Sequence, residues 1–186
     1  KKEKGKKKKK LQMLIRASPN AAFPFLSSRE IEIGHAVVRA TRITYVGEVG
    51  WELYVPTEFA THVYDVLVHK GQEHGMRHAG FHAMDSLRVE KGYRAWGSDL
   101  TDQDTPVEAG LRFAVAFEKA VEFNGKSALL RQIEQGVKKR LVVFILDDPE
   151  PLLLGDEPIY RNGEVVGRTT SGTYGHTVGR SVGMGY

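Results

Sequence analysis

The stretch Thr44-Tyr45-Val46-Gly47-Glu48-Val49-Gly50-Trp51-Glu52-Leu53 decides how the rest of the chain is read. Upstream of it, Ile31 to Tyr45 is rich in β-branched residues and alternates in runs such as Val38-Arg39-Ala40-Thr41-Arg42-Ile43, which is strand material. Gly47-Glu48-Val49-Gly50 interrupts this pattern and Trp51-Glu52-Leu53-Tyr54-Val55 resumes it, so the stretch reads as a β-hairpin. With Glu48 and Val49 at the tip, Gly47 pairs with Gly50, Val46 with Trp51, and Tyr45 with Glu52. Directly opposed residues leave the same face of a sheet with Cβ atoms about 5 Å apart, which would put a phenol and a carboxylate on one surface. A carboxylate beside an aromatic ring suits a guanidine-like edge, from which it can accept two parallel hydrogen bonds. Spacing alone leaves a second reading open, in which Glu52 is an edge-strand charge and Tyr45 a core aromatic.

Downstream, Thr57 is placed to N-cap a helix with Glu58 in its first turn, Ala60, Val63, Tyr64 and Leu67 at helical spacing, and Gly75 as the stop. A second helix is expected over about 80–91, with Met84, Leu87 and Lys91 along one side and Gly92 ending it. Residues 93–110 read as loop, and Phe113-Ala114-Val115-Ala116-Phe117 alternates as a strand should. After Asn124-Gly125 comes a short helix from Lys126 to about Ile133, and the remainder reads as β. Leu141–Leu146 is one strand, Ser181–Tyr186 another, and Asn162-Gly163 suits the type I′ turn of a hairpin between Ile159-Tyr160 and Val165-Val166.

Charge is distributed unevenly. The first ten residues, KKEKGKKKKK, hold eight Lys and one Glu, so residues 11–186 carry a net −3 although the whole chain is +4. No Arg or aromatic residue interleaves with these lysines to stack on bases, so they read as a solvated tail and nucleic acid is not the expected partner. The absence of cysteine excludes disulfides and thiolate metal sites. No apolar run approaches the length of a membrane span.

The run TYVGEVGWELYVP, residues 44–56, resembles the signature hairpin of the aminomethyltransferase family, typified by the folate-dependent T-protein of the glycine cleavage system. Asp85-Ser86-Leu87-Arg88-Val89-Glu90-Lys91-Gly92-Tyr93-Arg94 resembles the family's next helix. Asp99-Leu100 with Thr105-Pro106-Val107-Glu108-Ala109-Gly110-Leu111 resembles its following loop, and Phe123-Asn124-Gly125-Lys126-Ser127-Ala128-Leu129 its entry to a C-terminal β-domain. The similarity covers about residues 20–186. It implies an α+β fold: an antiparallel sheet with two packed helices, followed by a small β-barrel-like domain. The implied divisions are a basic tail over 1–18, a partial folate-binding domain over 19–122 and a C-terminal β-domain over 123–186.

The resemblance also implies a ligand. Tyr45 and Glu52 match the family's folate-contacting Tyr and second Glu, while Glu48 matches a structural turn residue. Where T-proteins carry an Arg before the Asp-Ser-Leu-Arg run, this chain has Met84, and Glu90 to Trp96 resembles instead the sarcosine and dimethylglycine dehydrogenase branch. Met84 and Trp96 are secondary candidates for the folate cavity, with core packing an alternative for Trp96. The implied function is a tetrahydrofolate-binding module behind an N-terminal flavin domain. Such a module captures the one-carbon unit released from an N-methyl amine as methylene-tetrahydrofolate. FAD would belong to the parent protein, mitochondrial in a eukaryote and cytoplasmic in a bacterium. A T-protein and a non-catalytic regulatory relative are the alternatives.

The family's acidic residue at the reactive folate nitrogens has no match here, so no catalytic residue is assigned, and the sequence is expected to be a piece of a longer protein. His62, His69, His74, His78 and His82 have partial metal-ligand spacing but no acidic residue completes a set, so no metal is expected. Asp99, Asp102 and Asp104 are followed by Thr105-Pro106 where a calcium loop needs glycine, and read as loop caps.

Overall fold

The computed structural model describes residues 23–186; the expected basic tail over 1–18 lies outside the described residues. The chain divides into two compact units, with the break between Met84 and Asp85.

In the first unit, β1 (Ser28–Ile33), β2 (Ala36–Thr41) and β3 (Glu52–Tyr54) form an antiparallel sheet in the order β1-β2-β3. The single strand expected over Ile31–Tyr45 is therefore two strands, turned back at Gly34-His35. Gly34 has φ +63°, and the pairing of Ile33 with Ala36 leaves just two residues in the turn, the geometry that calls for glycine in first position. A Cβ at Gly34 would also lie 2.1 Å from His62 Nε2, which accepts the His35 backbone N–H.

A 3-10 turn at Thr57–Phe59 leads into α1 (Ala60–Gln72). Thr57 makes no side-chain cap; it is the first residue of that turn, after Pro56. Val63 is buried against Ile33, Ala36 and Val38, with Leu53, Val55, Phe59, Val66 and Leu67 around them, whereas Tyr64 is 55% exposed. The buried stripe thus runs through 59, 63, 66 and 67, and α1 covers one face of the sheet. Gly75, at φ +69°, ends the helix: its N–H bonds to the Gln72 carbonyl and that of Met76 to Gly71, a Schellman closure with Met76 packed over Gly71.

Next comes α2 (Phe81–Glu90), closed the same way at Gly92, with Tyr93 N–H bonded to the Arg88 carbonyl. Its buried residues are Ser86, Arg88 and Val89, while Leu87, expected on the packed side, is 37% exposed. The second unit continues through an irregular segment to α3 (Lys126–Gln135). It ends in β4 (Val142–Ile145), β5 (Pro158–Arg161), β6 (Glu164–Gly175) and β7 (Arg180–Gly185), an antiparallel sheet in the order β4-β7-β6-β5. Asn162 and Gly163 both have positive φ, as the type I′ turn requires. Val89, Leu141, Val182 and Met184 form the core here.

The strand expected at Phe113–Phe117 is absent. Residues 112–114 form a 3-10 turn, Val115 N–H bonds to the Arg112 carbonyl, and Phe117 N–H bonds to that of Val115. An alternating pentapeptide becomes a strand only when a neighbouring edge takes up its backbone, and among the described residues none does. Among the described residues the architecture is thus α+β, with antiparallel sheets, three α-helices and a C-terminal β-domain.

The two helix-linked glycines give a paired stability test. At Gly75 an added Cβ meets nothing within 4 Å, so Gly75→Ala is expected to cost only left-handed strain, about 1–2 kcal/mol. Gly34→Ala also displaces His62 and frees the His35 N–H, for about 2–3 kcal/mol in all. Urea denaturation midpoints of the two variants will show whether their order holds.

Candidate functional site

The site is built on the hairpin between β2 and β3. Thr41 pairs with Glu52, Ala40 with Leu53, and Arg39 with Tyr54. The expected register, with Tyr45 opposite Glu52, is therefore replaced by one in which Thr41 takes that place and residues 42–51 form the connection. The reason lies at Gly50, where an added Cβ would sit 2.7 Å from the Ile43 carbonyl oxygen. That close approach folds the connection onto its own beginning instead of extending the ladder. Val46 N–H donates to Thr44 Oγ1 at 3.2 Å within it.

The base of the connection is held by Arg42, which is 8% exposed and donates from Nη1 to the Phe23 carbonyl at 2.6 Å. The edge of one ring meets the face of the other between Phe23 and Trp51, with centroids 4.4 Å apart, and the Arg42 guanidinium lies 6.0 Å from the Trp51 ring. Trp51 is thereby anchored, which fixes where Glu52 begins the strand. Tyr45 is half-buried in the connection, outside the ladder, and Glu48 is exposed near its tip.

Parity then dictates which way Glu52 faces. Leu53 packs towards the core, so its neighbours Glu52 and Tyr54 face outward. On that outer face Thr41 Oγ1 donates to Ser28 Oγ at 3.0 Å and Arg39 pairs with Glu30 at 3.2 Å. The Tyr54 hydroxyl donates to Glu52 Oε2 at 2.7 Å. This hydrogen bond, followed by the charge of the same carboxylate, raises the Tyr54 phenol above its ordinary value. The phenol beside Glu52 is thus Tyr54, which the sequence reading passed over. Alternation carried the signal, since residues two apart on a strand share a face. The outcome is an exposed carboxylate, acceptor-only, with one oxygen oriented by a phenol and lone pairs left for a ligand.

The two secondary candidates lie apart in the chain's organisation. Met84 is half-buried on α2 and ends the first unit, and Trp96, 74% exposed, lies in the second. Histidines at partial ligand spacing are engaged otherwise: His62 stacks on His35 and His78 on Tyr64.

The second unit contains a buried polar network the sequence did not announce. Arg88 and Asp99, 4% and 0% exposed, form a short ion pair through Nη1 and Oδ2. Arg88 Nη2 donates to Ser171 Oγ at 2.9 Å and its Nε to Asp85 at 2.7 Å. Asp99 accepts the Ala95 N–H at 2.9 Å and the Thr170 hydroxyl at 2.6 Å. Asp99, expected as a loop cap, does hold the Ala95 N–H but is also the buried partner of Arg88. Asp104 does cap, accepting the Thr101 N–H at 2.8 Å, and its hydrogen bond from Lys139 is the main cause holding it below the usual carboxylate range. Burial, and then the carboxylates of Asp104, Glu108 and Asp99, push the Tyr186 phenol up to about 12.

Comparison with known proteins adds the following. Residues 6–119 match the family described as GCVT N-terminal domain, and residues 139–186 the one described as Glycine cleavage T-protein C-terminal barrel domain. The chain is 45% identical over 169 residues to the pyruvate dehydrogenase phosphatase regulatory subunit, mitochondrial, of Mus musculus, an alignment spanning 88% of this chain and 19% of that protein. It is 41% identical over 167 residues to sarcosine dehydrogenase, mitochondrial, of Homo sapiens, spanning 90% of this chain and 18% of that one. The crystal structure of glycine cleavage system aminomethyltransferase T from Bartonella henselae superposes with a TM-score of 0.76 at 29% identity, over 91% of this chain and 46% of the other. The chain spans about a fifth of the length of these curated relatives.

Two outcomes follow from the polar network. Asp99→Ala strands a buried guanidinium and is expected to cost about 3–5 kcal/mol, against under about 1 kcal/mol for Asp85→Ala at the 42% exposed partner, both read by chemical denaturation. Tyr186, with its folded pKa above the ordinary ~10, contributes stability that is complete below that pH and is lost as pH rises towards 12. Tyr186→Phe should accordingly flatten the fall in denaturation midpoint between pH of about 9 and about 12.

Proposed function

Because the chain belongs to the glycine cleavage T-protein (aminomethyltransferase) family, we propose that it is the tetrahydrofolate-binding module of an FAD-dependent N-methyl amine dehydrogenase of the sarcosine or dimethylglycine type. The observation that carries this reading is the Glu52 carboxylate, exposed at the edge of the sheet and oriented by Tyr54. The pterin ring of folate displays an exocyclic amine beside a ring N–H, and a carboxylate accepts from both at once. Glu52 has the acceptor capacity for this while keeping its bond from Tyr54. Tyr45, in the adjoining connection, is proposed as the aromatic neighbour of the ring, with Met84 and Trp96 as further contacts.

Tetrahydrofolate supplies the nitrogens that take up the one-carbon unit, and the chain supplies binding and orientation. Holding the acceptor close to where the unit is released turns a bimolecular capture into a local one. The flavin domain of the parent protein is the proposed partner, and FAD is proposed to be held there and by no residue of this chain. The division into a folate-binding part over 19–122 and a β-domain over 123–186 belongs to the same proposal. So does the location: the mitochondrial matrix in a eukaryote, where relatives are named as mitochondrial, and the cytoplasm in a bacterium.

A second reading, a regulatory relative that keeps the fold without the ligand, is favoured by the 45% identity to the phosphatase regulatory subunit. Calorimetric titration of the parent protein with 5-formyl-tetrahydrofolate separates the two. Under the first reading wild type binds and Glu52→Ala binds roughly 30–150-fold more weakly, the loss of a bidentate charge-assisted contact. Tyr54→Phe, which releases the carboxylate from its phenol, should weaken binding roughly twofold to tenfold. Absence of binding by wild type would favour the regulatory reading.

A further inference from the structure

Residues 107–115, α3 and residues 136–140 enclose an open cleft of about 630 Å³. Its walls are apolar at Val107, Val115, Ile133 and Val137, and its polar side chains are Arg112, Arg140 and Gln132, with no carboxylate among the lining residues. Neither arginine has a carboxylate partner among the described residues. Gln132 uses its carbonyl oxygen to accept from the Thr105 hydroxyl at 2.7 Å, which leaves its amide hydrogens as donors. The polar groups of the cleft are therefore donors, two of them charged.

A second observation comes from the sequence pattern. Phe113-Ala114-Val115-Ala116-Phe117 has strand alternation, yet its backbone closes only on short local turns, and Phe113 is 84% exposed at the mouth of the cleft. Phe113 and Val115 therefore line the cleft with no neighbouring strand over them among the described residues, and an apolar wall beside two cations suits a segment that alternates apolar and acidic side chains. The surrounding charge has one sign. Residues 112–140 hold seven Lys and Arg against three Glu, whereas the other residues between 23 and 186 hold eleven against nineteen. Residues 1–22 hold nine Lys and Arg against one Glu, so this basic cleft repels the chain's own start.

We propose that this cleft is a docking site for an extended, acidic polypeptide segment of a partner domain, its apolar side chains on the Val115–Ile133 wall and its carboxylates on Arg112 and Arg140. The interaction is distinct from the proposed ligand contact at Glu52 and does not depend on it.

The probe is a fluorescently labelled, acetylated heptapeptide alternating glutamate with valine, titrated into the full chain by fluorescence anisotropy. Saturable binding is expected, weakening as salt rises from about 50 to about 500 mM, and roughly tenfold weaker for the double variant Arg112→Glu, Arg140→Glu. Both arginines are exposed, so the variant should keep the wild-type thermal midpoint. The same peptide with lysine for glutamate should bind the variant and not wild type. No saturable binding of the acidic peptide, or binding indifferent to the double substitution, would overturn the proposal. Concentration-dependent dimerisation lost in the same variant would also overturn it, since another copy of the chain would then be the occupant.

Discussion

The ion pair between Arg88 and Asp99 is the constraint on which the second unit depends. Two charges withdrawn from water lose several kcal/mol of hydration each, which their mutual attraction recovers only with good geometry and a full set of hydrogen bonds. Here the set is nearly complete. Four distinct groups accept from Arg88, and Asp99 takes a backbone N–H and a hydroxyl beside the guanidinium. Such a pair adds little net stability over an apolar filling, but it is intolerant of misplacement. The same contacts tie α2 to the 95–99 loop through Ala95 and to β6 through Thr170 and Ser171. Ser86 donating to the Tyr174 carbonyl at 2.9 Å and Glu90 accepting the Thr177 N–H at 2.7 Å extend the attachment of α2 along the β6–β7 hairpin.

Close backbone approach at glycine is a further constraint, and it acts in both units. Gly34 lies under His62, Gly71 under Met76, and Gly50 against the Ile43 carbonyl. The sheet and α1 pack with small aliphatic side chains, Ile33, Ala36, Val38 and Val63, and little buried polarity. The second unit adds the same device to its buried ion pair: a Cβ at Gly167 would meet the Tyr186 carbonyl, and one at Gly172 would meet Leu153. The connection between β2 and β3 follows the same logic, with Trp51 and Arg42 as its anchors.

What could be read in the sequence depends on whether a constraint is local in the chain. Local chemistry was legible: Asn162-Gly163 marked a type I′ turn, Gly75 and Gly92 marked helix ends, and the continuous apolar run Leu141–Leu146 marked β4. The hairpin register was not, because it depends on Gly50 touching Ile43, a contact seven residues apart that no alternation rule encodes. Gly34-His35 was overlooked because β1 and β2 are both β-branched, so the run read as continuous across its turn. Phe113–Phe117 had the right pattern for a strand and lacked a partner, which only three dimensions reveal. Asp99 looked like the nearby loop residues Asp102 and Asp104, and its burial goes with Arg88 eleven residues upstream. At the candidate site, spacing set Glu52 opposite Tyr45 across the hairpin, whereas the phenol that donates to it is Tyr54 on the same strand.

The position of Glu52 can be explained without any ligand, since edge strands commonly carry charge to discourage pairing with other chains. β3 is a three-residue edge strand and Glu52 would serve that purpose there. A purely protective charge, however, has no need of a fixed rotamer, and a mobile carboxylate protects an edge equally well. Glu52 has one oxygen bound by Tyr54, which is held on the same face because Leu53 between them is committed to the core. Fixing an exposed carboxylate costs side-chain entropy and weakens its hydration, with little return to the fold. The return lies in recognition, where an acceptor already oriented loses less freedom when it takes up a planar donor pair. That asymmetry, and not exposure alone, is what supports the proposal of a binding surface at this end of the hairpin.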